Sequence, residues 1–273
     1  MLKLIKALSV VAAISLTLTQ VVSAAEVTTE KKPVLSSYEL PVKDTHGTII
    51  GTQKTSLSIL SEETNGDKKT TIVDITNYSM KDTSESSNKV FKNGTKTTVV
   101  ERKQNGDYYI NGTKLTATEL SQQIAPQKLT TMFVESGGVS ALTYYTNFSD
   151  NPDLYECWGY PQPTNNFLDG GAGTKLDRFV KPIYPYTISK LSDFKMYANS
   201  VASARSTINT SSVALAGALG VLALTWETVV GALVGGIGVA SSAYAIYNAS
   251  GDGKSAMSSA YNILQGWSTG VNN

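Results

Sequence analysis

Between Val213 and Tyr247 the chain runs for 35 residues, VALAGALGVLALTWETVVGALVGGIGVASSAYAIY, with Glu227 as its only charged side chain. A segment this apolar must be covered by other parts of the protein or take up contact with lipid, because a water-exposed patch of its size would aggregate. As one straight helix it would extend about 52 Å, well past the ~30 Å hydrocarbon core of a bilayer. A turn at Trp226-Glu227-Thr228 divides it into Val213 to Thr225 and Val229 to Tyr247. The expectation is therefore a hydrophobic helical hairpin over 213–247, with Glu227 at the tip beside Trp226. There the charge can stay in the interfacial layer that indole rings favour.

Small residues in the block point the same way. Gly231 and Gly235 form a GxxxG pair, and Ala232, Gly236 and Ala240 repeat every fourth residue on a neighbouring stripe. Ala214 with Ala218, and Ala216 with Gly220, continue the pattern in the first arm. Such stripes let helix backbones approach closely in lipid and support self-association there. The same pattern also serves tight helix packing in water. Interior glycines cost a helix roughly 1 kcal/mol each relative to alanine, which suits a segment that exchanges packing partners.

At the other end, Lys3 and Lys6 precede an uncharged stretch, Ala7 to Val22, that closes in Val22-Ser23-Ala24. This reads as a secretory signal peptide, residues 1–24, cut after Ala24. The chain beyond it carries 21 basic and 22 acidic side chains, which argues against nucleic acid as a partner. Cys157 is the only cysteine, so no intramolecular disulfide can form and stability rests on packing.

From Ser37 to Thr116, short runs such as Gly47 to Leu60, Lys69 to Tyr78, Lys96 to Glu101 and Asp107 to Ile110 alternate apolar and polar residues. They are rich in Thr, Val, Ile and Tyr, as half-buried strands are. Asn65-Gly66, Asn93-Gly94, Asn105-Gly106 and Asn111-Gly112 mark turns, and Asp82 to Lys89 reads as an exposed loop. Residues 25–125 are thus expected to form a β-rich domain. Residues 126–186 follow as a linker and an aromatic, Pro- and Gly-rich loop region. In 187–273, Ile188, Leu191, Phe194, Tyr197, Val201, Ala204 and Ile208 share one helix face, and Met257, Ala260, Tyr261, Leu264 and Trp267 share another. The fold class expected is α+β: an N-terminal antiparallel meander followed by a C-terminal helical domain that carries the hairpin.

Catalytic chemistry finds few residues here. One histidine, His46, and one cysteine cannot build the usual zinc sets, and no HExxH, CxxC pair or calcium loop is present. A Ser-His-Asp triad would need His46, and there is no GxSxG elbow. Gly170-Gly171-Ala172-Gly173-Thr174-Lys175 lacks the spacing of a phosphate loop. Carboxylate pairs of the glycosidase kind need not be close in sequence and leave no trace to read. No enzyme activity, metal or cofactor is expected.

The signal peptide, the Thr/Asn-rich β segment, Cys157-Trp158-Gly159-Tyr160 and VVGALVGGIGVASSA together resemble the large secreted bacteriocins of Gram-positive bacteria, the geobacillin type. That resemblance rests mainly on residues 155–270. It implies a secreted, unmodified antibacterial protein whose partner is the membrane of related bacteria, with no catalytic residues to carry over. On this reading the membrane-inserting residues are Trp226, Glu227, Gly231, Gly235, Gly236, Ala240 and Trp267. Trp226 and Glu227 form the tip, the small residues pack helices, and Trp267 meets the interface. The rival reading is a surface-associated structural or adhesion protein anchored by the same hairpin; a secreted hydrolase ranks below both.

Overall fold

The computed structural model describes residues 34–124, 144–148, 151–159, 177–235 and 239–267. The signal-peptide segment, Gly137-Gly138, Gly170 to Gly173 and Gly236 lie outside them. The architecture is α+β, with an antiparallel meander followed by helices.

Six strands pair in chain order: β1 (Val34–Lys43), β2 (Ile49–Thr64), β3 (Asp67–Met80), β4 (Gly94–Arg102), β5 (Tyr108–Ile110) and β6 (Thr113–Lys114). Two of the Asn-Gly pairs make the tight turns expected of them. Asn65 and Gly66 take φ of 52° and 87° between Thr64 and Asp67, and Asn111 and Gly112 take 48° and 80° between Ile110 and Thr113. Two successive positive φ values give the turn whose twist matches that of the strands it joins. Asn93-Gly94 acts otherwise: Asn93 Oδ1 accepts the Tyr78 N–H at 2.7 Å, and Gly94 opens β4.

The link from β3 to β4 corrects one expectation. Within the run read as an exposed loop lies a short helix, α1 (Glu85–Val90). Ser84 caps it by accepting the Ser87 N–H at 3.2 Å, with Glu85 in the first turn and Lys89 in the last, and Ser86 and Ser87 are buried. Polar residues arranged to complement a helix's ends stabilise one without an apolar face. A second short helix, α2 (Ala117–Leu120), starts with a full capping box between Thr116 and Glu119.

The segment read as a loop also contains strands. β8 (Tyr144–Phe148), β9 (Asn151–Gly159) and β10 (Asp177–Pro182) form a second antiparallel sheet with β9 at its centre. Their prolines stand at strand ends, Pro152 second in β9 and Pro182 last in β10, where a missing N–H costs least.

The helices are α3 (Ile188–Leu219), α4 (Trp226–Gly235) and α5 (Ala240–Gly266). The apolar block is therefore shared among three helices: the end of α3, all of α4 and the start of α5. Its turn falls earlier than Trp226, because Gly220 takes the left-handed conformation (φ 67°) that ends α3. A two-residue strand, β11 (Leu224–Thr225), follows and pairs with β7 (Gln123–Ile124), so α3 is clasped to α4 through the end of the β region. α5 runs unbroken through Ser250-Gly251-Asp252-Gly253, well before the Lys254 start that the sequence suggests.

One face of the six-stranded sheet points into a core shared with the helices. Leu57, Ile59, Ile72 and Val100 meet Val201, Ile208 and Leu215 of α3, Val229, Val230 and Leu233 of α4, and Ala243, Tyr244 and Ile246 of α5. A second cluster joins Cys157 of β9 to Leu191 and Phe194 of α3 and to Ala260, Leu264 and Trp267. The first turns of α3 thus meet the last turns of α5, so the two helices run antiparallel. α3 buries Ala198, Ala202 and Ala204 and α5 buries Ala249, Gly253, Ala256 and Ala260, residues small enough for close helix approach.

Inside this core lies a polar chain. The Asp74 carboxyl, 1% exposed, accepts the Tyr244 hydroxyl proton and that of Thr76 at 3.2 Å. Thr76 accepts in turn from Thr55 at 2.9 Å, and Thr55 from Gln53 Nε2 at 3.3 Å. Burial, then the bond to Asp74, raises the Tyr244 hydroxyl above the ordinary tyrosine range, so it stays a donor. Tyr244→Phe leaves Asp74 short of its helix-side donor while preserving shape. The expected loss is about 1–3 kcal/mol of stability, read as a lower urea midpoint with an unchanged slope.

Candidate functional site: an exposed apolar turn

Most of the apolar block is covered. Val229, Val230, Leu233 and Val234 of α4 are buried, and the Thr70 hydroxyl of β3 donates to the Val234 carbonyl at 3.2 Å, which satisfies one of the open acceptors at the helix end. Among the described residues, no helix is long and apolar enough to cross a membrane.

Besides single exposed positions such as Val213, the turn itself is a continuous exception. Gly217-Ala218-Leu219-Gly220-Val221-Leu222-Ala223 is exposed at every position, and none of the seven carries a charge or a polar side chain. Leu219 and Val221 are more than a third exposed, and Leu222 fully so. The shape has local causes. The Gly220 cap reverses the chain, with the Val221 N–H donating to the Ala216 carbonyl at 3.1 Å. On the far side the Trp226 N–H donates to the Gln122 carbonyl at 2.9 Å. Bound at both ends, the apolar turn is held away from the core. Fully burying a leucine or valine contributes roughly 1.5–3 kcal/mol, so the turn would gain several kcal/mol from an apolar environment.

Of the residues expected to insert into lipid, the described ones are not gathered at this turn. Trp226 is half-buried in the first turn of α4 and stacks on Tyr247, with ring centroids 6.2 Å apart. Glu227 beside it is exposed at the α4 N-terminus, where a carboxylate is favoured by the helix dipole. Gly231 faces the sheet, and a Cβ placed there would stand 3.4 Å from the Tyr108 hydroxyl. Gly235 is exposed, with open space where a Cβ would be. Ala240 is buried at the start of α5. Trp267 caps the far end of α5, buried among Cys157, Leu191 and Phe194, and its carbonyl accepts from Lys181 Nζ at 2.8 Å. Sequence reasoning placed the tip at the tryptophan. The run Leu219-Gly220-Val221-Leu222, in which glycine breaks a helix between large apolar residues, is the signal it passed over.

No family model, curated protein or solved structure matches this chain. What the site can do follows from its own geometry.

That geometry gives little to nucleophilic chemistry. His46 lies in the β1–β2 turn, where its N–H and that of Thr48 donate to Asp44 Oδ1 at 2.9 and 2.8 Å. Cys157 is fully buried, and burial pushes its thiol up to about 12. Among the described residues no group of three or more His, Cys, Asp or Glu side chains is placed to hold a metal. Two carboxyl groups, Asp74 and Asp252, line one cavity of about 230 Å³. Both are engaged, Asp74 by Tyr244 and Thr76, and Asp252 by Lys96 Nζ at 2.7 Å. Since only a thiolate attacks a disulfide reagent, folded protein at pH 8 is expected to leave such a reagent untouched. In denaturant one thiol per chain should react; prompt reaction of the folded form would show that β9 opens readily.

Proposed function

We propose that the protein is a secreted antibacterial protein that engages and disrupts the membrane of target bacteria, and that the turn 217–223 makes the first contact with lipid. The observation that carries this reading is the turn itself: seven consecutive exposed residues with no polar side chain, projected by a glycine cap and clasped at its base. A shape of this kind supplies apolar area to a bilayer without unfolding anything.

The turn accounts for docking only. Its anchoring strength is of the order of one short acyl chain, which gives reversible attachment. Disruption then needs more apolar surface, and the nearest supply is α4. Its buried face could exchange sheet contacts for lipid, and Gly231 and Gly235 would allow close helix contact and self-association there. Glu227, exposed at the head of α4, would remain in the interfacial layer. Secretion rests on residues 1–24, and the antibacterial role on the resemblance of residues 155–270 to the geobacillin type.

Dye release from phospholipid vesicles and the membrane potential of Gram-positive cells test the reading together. The protein should release dye and depolarise cells, and Leu222→Asp should lower both at least tenfold. Its thermal stability should remain that of the wild type, because an exposed side chain is exchanged for another. Full activity in Leu222→Asp would overturn the role of the turn.

Gly235→Leu probes the later step. With open space around its Cβ the variant should fold and bind vesicles as the wild type does, yet release little dye. Wild-type release would remove α4 packing from the mechanism.

A further inference from the structure

The middle of α5 passes β4 and the head of α4 along an open cleft of about 610 Å³, within the size range of small-ligand sites. It is well separated in chemistry from the apolar turn. Trp226 and Tyr247, stacked with their ring planes 27° apart, form one wall. Asn111, Asn248 and Thr97 also line the cleft.

Two lysines enter the cleft in different states. Lys96 is already engaged, by Asp252 Oδ1 at 2.7 Å and by Asn248 Oδ1 at 3.1 Å. That arrangement leaves the Asn248 NH2 with both of its donors. Lys254 is half-buried, and its ammonium makes no hydrogen bond or ion pair among the described residues. Glu119 attracts it without a hydrogen bond, while burial lowers its proton affinity. A half-buried cation without a close partner is costly, and an anion placed in the cleft would remove that cost.

Gly251 adds an independent observation. It sits within α5, where glycine is unfavourable, yet its φ is not left-handed and a Cβ there would meet no atom within 4 Å. Neither backbone conformation nor packing calls for glycine at this position. Its effect is to leave the cleft wall without a side chain, so that a ligand can lie against the helix backbone.

We propose that this cleft binds a carbohydrate bearing a carboxylate or phosphate. The sugar's apolar face stacks on the Trp226–Tyr247 wall, its hydroxyls bond Asn111 and Asn248, and its anionic group pairs with Lys254. An aromatic wall with amide donors suits a saccharide ring, and Lys254, with no ion pair among the described residues, selects a charged sugar over a neutral one. This assignment is independent of the membrane reading.

Titration calorimetry on the full protein tests it with four probes: glucuronic acid, oligogalacturonate, glucose 6-phosphate and glucose. At least one anionic probe should bind at least tenfold more tightly than glucose. Lys254→Gln should abolish that preference, and Gly251→Met should weaken all binding while melting no lower than the wild type. A preference confined to glucose 6-phosphate would assign the phosphate, and one confined to the uronates the carboxylate; either result supports the site. Three outcomes would overturn it: no binding of any anionic probe at 10 mM (~10 mM marks the weak end of useful affinity), equal affinity for glucose, or unchanged affinity in both variants.

Discussion

The contact between Tyr244 and Asp74 is the one on which the remaining architecture depends. A carboxyl group on the inward face of a sheet is costly unless every acceptor finds a donor. The sheet supplies donors through Thr76 and Thr55, and α5 supplies the strongest through Tyr244. This bond joins residues 170 positions apart, so it forms only when sheet and helix are correctly placed. Buried polar contacts of this kind favour one arrangement over its neighbours more than they add stability. Once α5 is fixed over β3, α3 has its antiparallel partner and α4 can fill only the space left over β3 and β4.

The apolar block therefore satisfies two opposed demands. Most of it builds a core that the meander alone lacks, since the strands bring only a handful of large inward residues, among them Leu57, Ile59, Ile72 and Val100. A short part, at the turn between α3 and α4, contributes nothing to that core. The β7–β11 clasp and the Gly220 cap hold it outside. Core and protruding turn come from one apolar run, and backbone geometry separates them.

Much of the meander was legible in the sequence because its signals are local. Period-two alternation and the turns at Asn65-Gly66 and Asn111-Gly112 need no tertiary partner to be read. The inward faces of α3 and α5 were legible for the same reason, at Phe194, Val201, Ile208, Met257 and Leu264, although Ile188, read on the same face, is exposed and Trp267, read as interfacial, is buried. Elements that depend on distant parts were not. Strands β9 and β10 exist because each pairs with the other across residues 160–176. α5 continues through Gly251 and Gly253 because α3 and the sheet enclose it, which outweighs helix propensity. The head of α4 was read as the tip because Trp226 and Glu227 look interfacial in isolation, whereas the chain turns earlier, at Gly220, and Trp226 stacks on Tyr247. For the turn 217–223, composition alone could not distinguish exposed leucines from buried ones.

The burial of α4 carries a consequence for time. A helix whose valines are locked under a sheet cannot leave faster than the local structure opens, and such openings are governed by the free energy of the contacts broken. If the turn docks on a membrane as proposed, that contact would be limited by diffusion, whereas freeing α4 would be limited by breakage of the Thr70 to Val234 bond and the packing around it. Two events joined in one chain would thus run on separate clocks. Conditions that loosen the fold without unfolding it, such as mild warmth or low denaturant, would shorten the lag between them and leave the first unaltered.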